Sequence, residues 1–130
     1  MTQEDKALLL KDLCARLPYG VKMIDTEPYS AEHNPILTLS YISEDNGIGC
    51  RAGKGFMATS LGSIKPYLFP LSSMTDEQSK VYHELIKGMF GTSALINFEV
   101  LTDFFNANHI DYRGLIKKGL AIDATRLNIY

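Results

Sequence analysis

SIKPYLFPLSSMTDEQ, residues 63–78, divides the chain into two unlike halves. Pro66 and Pro70 bracket Tyr67, Leu68 and Phe69. Proline fixes its own φ and moves its predecessor out of the helical region, so the bracketed residues are extended. Thr75 and Gln78 then have the spacing of a capping box, and a helix opens there. Before this stretch the pattern is one helix followed by short strands. After it the pattern is helical.

Working back from residue 63, Thr2 caps a first helix with Asp5 at its third position. Leu10, Leu13, Cys14 and Leu17 recur at i, i+3, i+4 and i+7, one stripe that faces a core. Pro18 ends the helix, and Pro18-Tyr19-Gly20 turns the chain. Strands are expected at residues 21–24, 36–42, 48–52, 56–59 and 61–67, with a polar loop over 25–35. Within 36–42, alternation puts Leu37, Leu39 and Tyr41 on one face and Ile36, Thr38, Ser40 and Ile42 on the other. Asn46-Gly47 is the preferred pair for a two-residue type I′ hairpin turn, and Gly53-Lys54-Gly55 turns again. Strands so short and so tightly joined predict an antiparallel meander. Curling it hides more apolar surface and protects its edges.

The expected fold class is therefore α+β: an N-terminal helix, a five-stranded curled antiparallel meander shaped as an SH3-like small barrel, and C-terminal helices. A plain curled sheet is the alternative. One domain covers residues 1–130, divided into a helix (1–18), the meander (20–68), a helical layer (75–118) and a tail (119–130). In the second helix, residues 76–89, Val81, Leu85 and Met89 form the stripe, Tyr82 and Ile86 lie beside it, and Gly88 and Gly91 stop it. Ser93 or Asn97 caps a third helix that runs through Phe105 and buries Leu101, Phe104 and Phe105. A short turn over 115–118 is broken by Gly119. The tail, with Leu120, Ile122, Leu127 and Ile129, either docks on the body or adds a last strand.

Thirteen basic against fifteen acidic residues give a net charge of −2, which predicts no strong non-specific attraction to nucleic acid or anionic lipid. Cys14 and Cys50 lack metal-type spacing; a reduced pair is expected, with a Cys14–Cys50 disulfide as the alternative. The first residues carry acids where a signal peptide needs bases, and no stretch reaches membrane-spanning length. These features predict a soluble, cytoplasmic protein.

Several motifs fail on detail. The glycines of GIGCRAGKG (47–55) do not keep P-loop spacing, Gly55 stands where Ser or Thr is required, and no helix follows. His83-Glu84 lacks a histidine at position 87, which is Lys, and His33, His83 and His109 are far apart, so no metal is expected. Glu44-Asp45-Asn46-Gly47 lacks the alternating ligands of a calcium loop, and no serine sits in a G-x-S-x-G elbow.

Two clusters stay as candidates. In HIDYRG (109–114), His109 would serve as a base, Asp111 as its orienter and Arg113 as an anion contact. The plainer reading pairs Asp111 with Arg113 or caps the next turn with it, half-buries Tyr112, and gives Gly114 a positive φ; it is preferred, because no nucleophile accompanies the cluster. The second candidate is Lys65, Tyr67 and Phe69, an aromatic surface suited to an extended peptide or single-stranded nucleic acid. Its plainer reading has Tyr67 and Phe69 pinning the helices to the sheet.

Three phrases, LLLKDLCARLPYGVK (8–22), SIKPYLFPLSSMT (63–75) and DYRGLIKKGLAIDA (111–124), resemble a group of small uncharacterised proteins of gut Bacteroidales and of their phages and integrated elements. The resemblance spans both ends and the middle of the chain but not residues 25–62. It implies a common fold and a bacterial or phage origin, and carries no activity, cofactor or catalytic residue. The expectation is thus a non-enzymatic interaction module, an accessory protein of a phage or mobile element that acts by protein–protein contact and needs no cofactor. The alternative is a nucleic-acid-binding regulator that uses Lys65 and Tyr67 with Arg51 and Lys54. A small enzyme built on His109, Asp111 and Arg113 ranks last.

Overall fold

The structure is a computed structural model, and it describes residues 1–27, 36–88 and 94–130. The expected roles of His33, Met89, Gly91 and Ser93, and most of the polar loop, lie outside the described residues. The chain is α+β, with an N-terminal helix, a mixed sheet and C-terminal helices.

Helix α1 (Gln3–Arg16) opens on a reciprocal cap: the Asp5 N–H donates to Thr2 Oγ1 at 3.0 Å and the Thr2 N–H donates to Asp5 Oδ2 at 3.1 Å. Its buried face is Leu9, Asp12, Leu13 and Arg16. The expected stripe held only at Leu13. Leu10 and Leu17 are half-buried, and Cys14 is exposed. The face rotated because two charged side chains pair inside it, which apolar periodicity does not register. Both cysteines are free thiols, Cys50 in the core and Cys14 at the surface.

Strands β1 (Lys22–Asp25), β2 (Leu37–Ile42), β3 (Gly47–Ala52) and β4 (Gly55–Ser60) form the antiparallel meander. The β2–β3 loop is not the two-residue turn expected. Ser43 N–H donates to Gly47 O, Asn46 N–H donates to Ser43 O, and only Asn46 is left-handed, at φ +63°. That makes a three-residue loop, a turn closed by one αL residue. The β2–β3 register shifts between Leu39 and Tyr41. This bulge inserts Ser40 and reverses the alternation behind it: Tyr41 turns outward and Ile42 packs against the core.

A three-residue 3₁₀ turn (Leu61–Ser63) leads into β5 (Ile64–Pro70), which pairs with β1 rather than with β4. The sheet order is β4-β3-β2-β1-β5-β6, and it is not closed into a barrel. It is mixed, not purely antiparallel. β6 (Ile110–Asp111) and β7 (Ile122–Asp123) both run parallel to β5, at Phe69–Pro70 and Tyr67–Leu68 respectively. Successive residues of a strand turn their backbone groups to opposite edges. Ser63 O accepts the Thr26 N–H just past β1 and the Phe69 N–H bonds to His109 O, whereas Leu68 O accepts the Ala124 N–H beside β7. β1 and β6 therefore share one edge of β5, and β7 takes the other, where Pro66 and Pro70 have no N–H to offer.

Helix α2 (Asp76–Gly88) begins at the expected cap, with reciprocal bonds between Thr75 and Gln78 of 3.0 and 3.1 Å. Tyr82 and Leu85 face inward and Val81 is exposed, so the expected stripe is turned by about one position. Helix α3 (Ala94–Ala107) contains Asn97 within its span rather than at its cap. Leu101 and Phe105 are buried with Ile110, and Phe104 packs beside them. The main core lies between α1 and the sheet: Leu9, Leu13, Met23, Leu37, Ile48, Ile64, Leu68 and Leu115 have no or almost no exposed surface.

Candidate functional site

His109, Asp111, Tyr112 and Arg113 follow α3 where it returns to the sheet. His109 reverses the chain at φ +58°, and its carbonyl accepts the Phe69 N–H at 2.8 Å. Its ring lies flat on Tyr130, centroids 3.8 Å apart and planes 12° apart. Nδ1 is buried with no partner among the described residues. Burial, and then the charges of Arg16 and Lys22, push the imidazole pKa down to about 4. The ring is neutral at pH 7 and a poor proton acceptor.

Asp111 does not orient it. Both carboxylate oxygens accept backbone N–H groups, from Leu115 and Ile116, each at 2.9 Å. The carboxylate caps the following turn, and Gly114 takes φ +76°. Arg113 donates from Nη2 to the Tyr112 hydroxyl at 2.9 Å, and its guanidinium lies 4.8 Å from the centroid of that ring. The three side chains of the enzyme reading are each engaged elsewhere.

What sequence reasoning missed is the pair beneath them. Arg16 donates from Nε to Asp12 Oδ2 at 2.8 Å and from Nη2 to Ile110 O at 2.7 Å; both side chains are fully buried. Arg113 Nε approaches Asp12 Oδ1 at 3.2 Å without hydrogen-bond alignment. The guanidinium of Arg16 also faces the Tyr112 ring at 5.4 Å. The available signal was the i, i+4 spacing of Asp12 and Arg16, which ordinarily marks an exposed pair. The cluster ties α1 to β6.

Lys65, Tyr67 and Phe69 do not form an exposed platform. Tyr67 is 6 % exposed, and Lys65 and Phe69 are half-buried. Phe69 packs near Tyr130, ring centroids 5.8 Å apart. Tyr130 does more. Continuing the β1–β5 register by one residue sets Lys22 opposite Tyr67, and the Tyr130 hydroxyl sits between them: it accepts the Lys22 N–H at 2.9 Å and donates to Tyr67 O at 2.8 Å. A side chain from the tail replaces a rung of the backbone ladder.

Two exposed aromatics share the outer face of β2–β4, while Phe98 is exposed on α3. Phe56 is 72 % exposed and Tyr41 52 %. Arg51 is the cross-strand neighbour of Phe56, with Lys54 in the turn between them. Tyr41 lies over Gly49, where an added Cβ would come within 2.1 Å of the ring; glycine leaves the space that the tyrosine covers. Sequence alternation grouped Tyr41 with Leu37 and Leu39, from which the bulge separates it, and gave Phe56 no role. Two grooves, of about 540 and 560 Å³, run between α1 and the β4–β5 turn and beside Ser72 and Arg126, and neither includes His109, Asp111 or Arg113. Among the described residues no three His, Cys, Asp or Glu side chains converge as metal ligands, and no helix is long and apolar enough to cross a membrane. Comparison with protein-family models, with curated proteins and with solved structures finds no match for this chain.

Proposed function

We propose that this chain is a non-enzymatic interaction module, a cytoplasmic accessory protein of a phage or mobile element that works by protein–protein contact. The supporting observation is how its functional-looking side chains are deployed. His109, Asp111 and Arg113 are engaged in internal stacking, capping and pairing, while Tyr41 shares an outward sheet face with Arg51 and its cross-strand neighbour Phe56. Exposed aromatics around an arginine are the composition of a contact surface. The same module carries the SH3-like reading of β1–β5. The Thr59 hydroxyl at the end of β4 donates to Asp25 Oδ2 at the end of β1 at 2.8 Å, and the 3₁₀ turn carries the chain directly into β5. These contacts draw the two ends of the strand path together on one side.

Arg51 and Lys54 beside two aromatic rings also suit a nucleic-acid strand, which is the second reading. Capture from host lysate with the wild-type chain and with Arg51→Glu, each with and without nuclease, separates the two. A protein that stays bound after nuclease and is lost with Arg51→Glu supports the contact module. Nucleic acid recovered only without nuclease, with no retained protein, overturns it in favour of the second reading.

A further inference from the structure

Going beyond that reading, we propose that the free edge of β4 is a self-association site, where β4 of a second copy adds antiparallel across a two-fold axis. Two residues, Gly53 and Lys54, separate the Ala52–Gly55 pair, and this hairpin geometry makes that pair a hydrogen-bonded one. Gly55, Met57 and Thr59 then bond inward to β3. Phe56 and Ala58 turn their N–H and C=O groups outward, and among the described residues no backbone group meets them.

Sheet edges are ordinarily blunted by lysine, proline, a bulge or a covering element. Among the described residues, β4 has none of these. GFMATS carries no charge and no proline, its register against β3 is unbroken over six pairs, and the bulge of the sheet lies one strand further in, between β2 and β3. The opposite end of the sheet is treated differently: β5 carries two prolines and is covered by β1, β6 and β7.

A second copy fits because the strand is complementary to itself. With the axis at Met57, Phe56 lies opposite Ala58 of the other copy, so a large side chain meets a small one twice, and each outward amide and carbonyl of Phe56 and Ala58 gains a partner. No like charges oppose one another along the strand. The pairing is isologous, so it stops at a dimer.

Sedimentation velocity across the soluble concentration range, with hydrogen exchange at the Phe56 and Ala58 amides, tests this. The wild-type chain is expected to show a monomer–dimer equilibrium, with those two amides protected only at high concentration. Ala58→Pro removes an outward donor that β3 does not use, and Phe56→Lys sets a charge on the edge. Each should lower the association constant by about tenfold or more and leave the thermal unfolding midpoint near wild type. A chain that stays monomeric throughout overturns the proposal, as does a dimer that both variants leave intact. Protection of Phe56 and Ala58 that appears only when another protein is added assigns the edge to that partner and overturns self-pairing.

Discussion

Arg16 and Asp12 stand one helical turn apart with no exposed surface, and the guanidinium reaches across to the carbonyl of Ile110. A buried pair of this kind gains little over an apolar substitute of the same shape, but losing one partner strands the other charge in a poor solvent. Arg16→Met should therefore cost about 3–5 kcal/mol in urea unfolding. The double variant Asp12→Asn, Arg16→Met should recover part of that loss, because the fully buried carboxylate is gone while Arg113, partly exposed, keeps its bond to the Tyr112 hydroxyl. If Arg16→Met unfolds like a surface variant, the pair does not hold α1 to β6. His109 gives a second test at the same scale. Its imidazole titrates near the ordinary histidine value of 6.5 when unfolded and at about 4 when folded. The unfolded state thus binds the proton first as pH falls. Stability should be full above about pH 6.5 and decline towards pH 4, with protonation of the native ring placing a cation near Arg16 and Lys22. His109→Asn keeps a residue that tolerates the left-handed backbone and removes the titration. Its unfolding midpoint should lack the decline between pH 6.5 and 4 that the wild type shows.

Among the elements, α1 shows where periodicity succeeds and where it fails. Leu13 is fully buried in the main core, so Leu13→Ala should lose about 2–5 kcal/mol by denaturant titration. Cys14, one position on, is exposed, and Cys14→Ser should stay within about 0.5 kcal/mol of wild type in the same experiment. Equal losses would mean that the stripe of Leu10, Leu13, Cys14 and Leu17 is the buried face after all. Charged residues inside that face were illegible because an i, i+4 acid–base pair looks the same on an exposed helix. The bulge in β2 was illegible for a related reason. Alternation assigns faces only while the register is constant, and one extra residue exchanges them. The capping boxes at Thr2 and Thr75 were legible, because the groups that bond are three residues apart.

For the molecule as a whole, β5 is the hub. It takes β1 and β6 along one edge and β7 along the other, so the first strand, the end of α3 and the tail all meet on it. Tyr130 completes the join by bridging Lys22 and Tyr67. Burial, ahead of its favourable contacts with Lys22 and Arg16, pushes its hydroxyl pKa up to about 12, so it remains a donor at neutral pH. Tyr130→Phe should cost about 1 kcal/mol and speed exchange of the Lys22 amide. Unchanged exchange would show that the bridge is not made. The sequence alone determined the elements that neighbouring residues decide: the two capped helices, the extended proline-bracketed strand and the β3–β4 hairpin. Each depends on steric limits or hydrogen bonds that act over a few residues. Only the tertiary structure decided that β5 joins β1 rather than β4, that two-residue strands from the helical half complete a mixed sheet, and that Asp12 and Arg16 are interior. Those outcomes depend on which distant segment satisfies a strand edge or covers a charge, and residues 16 and 110, or 22 and 130, bear no local mark of each other.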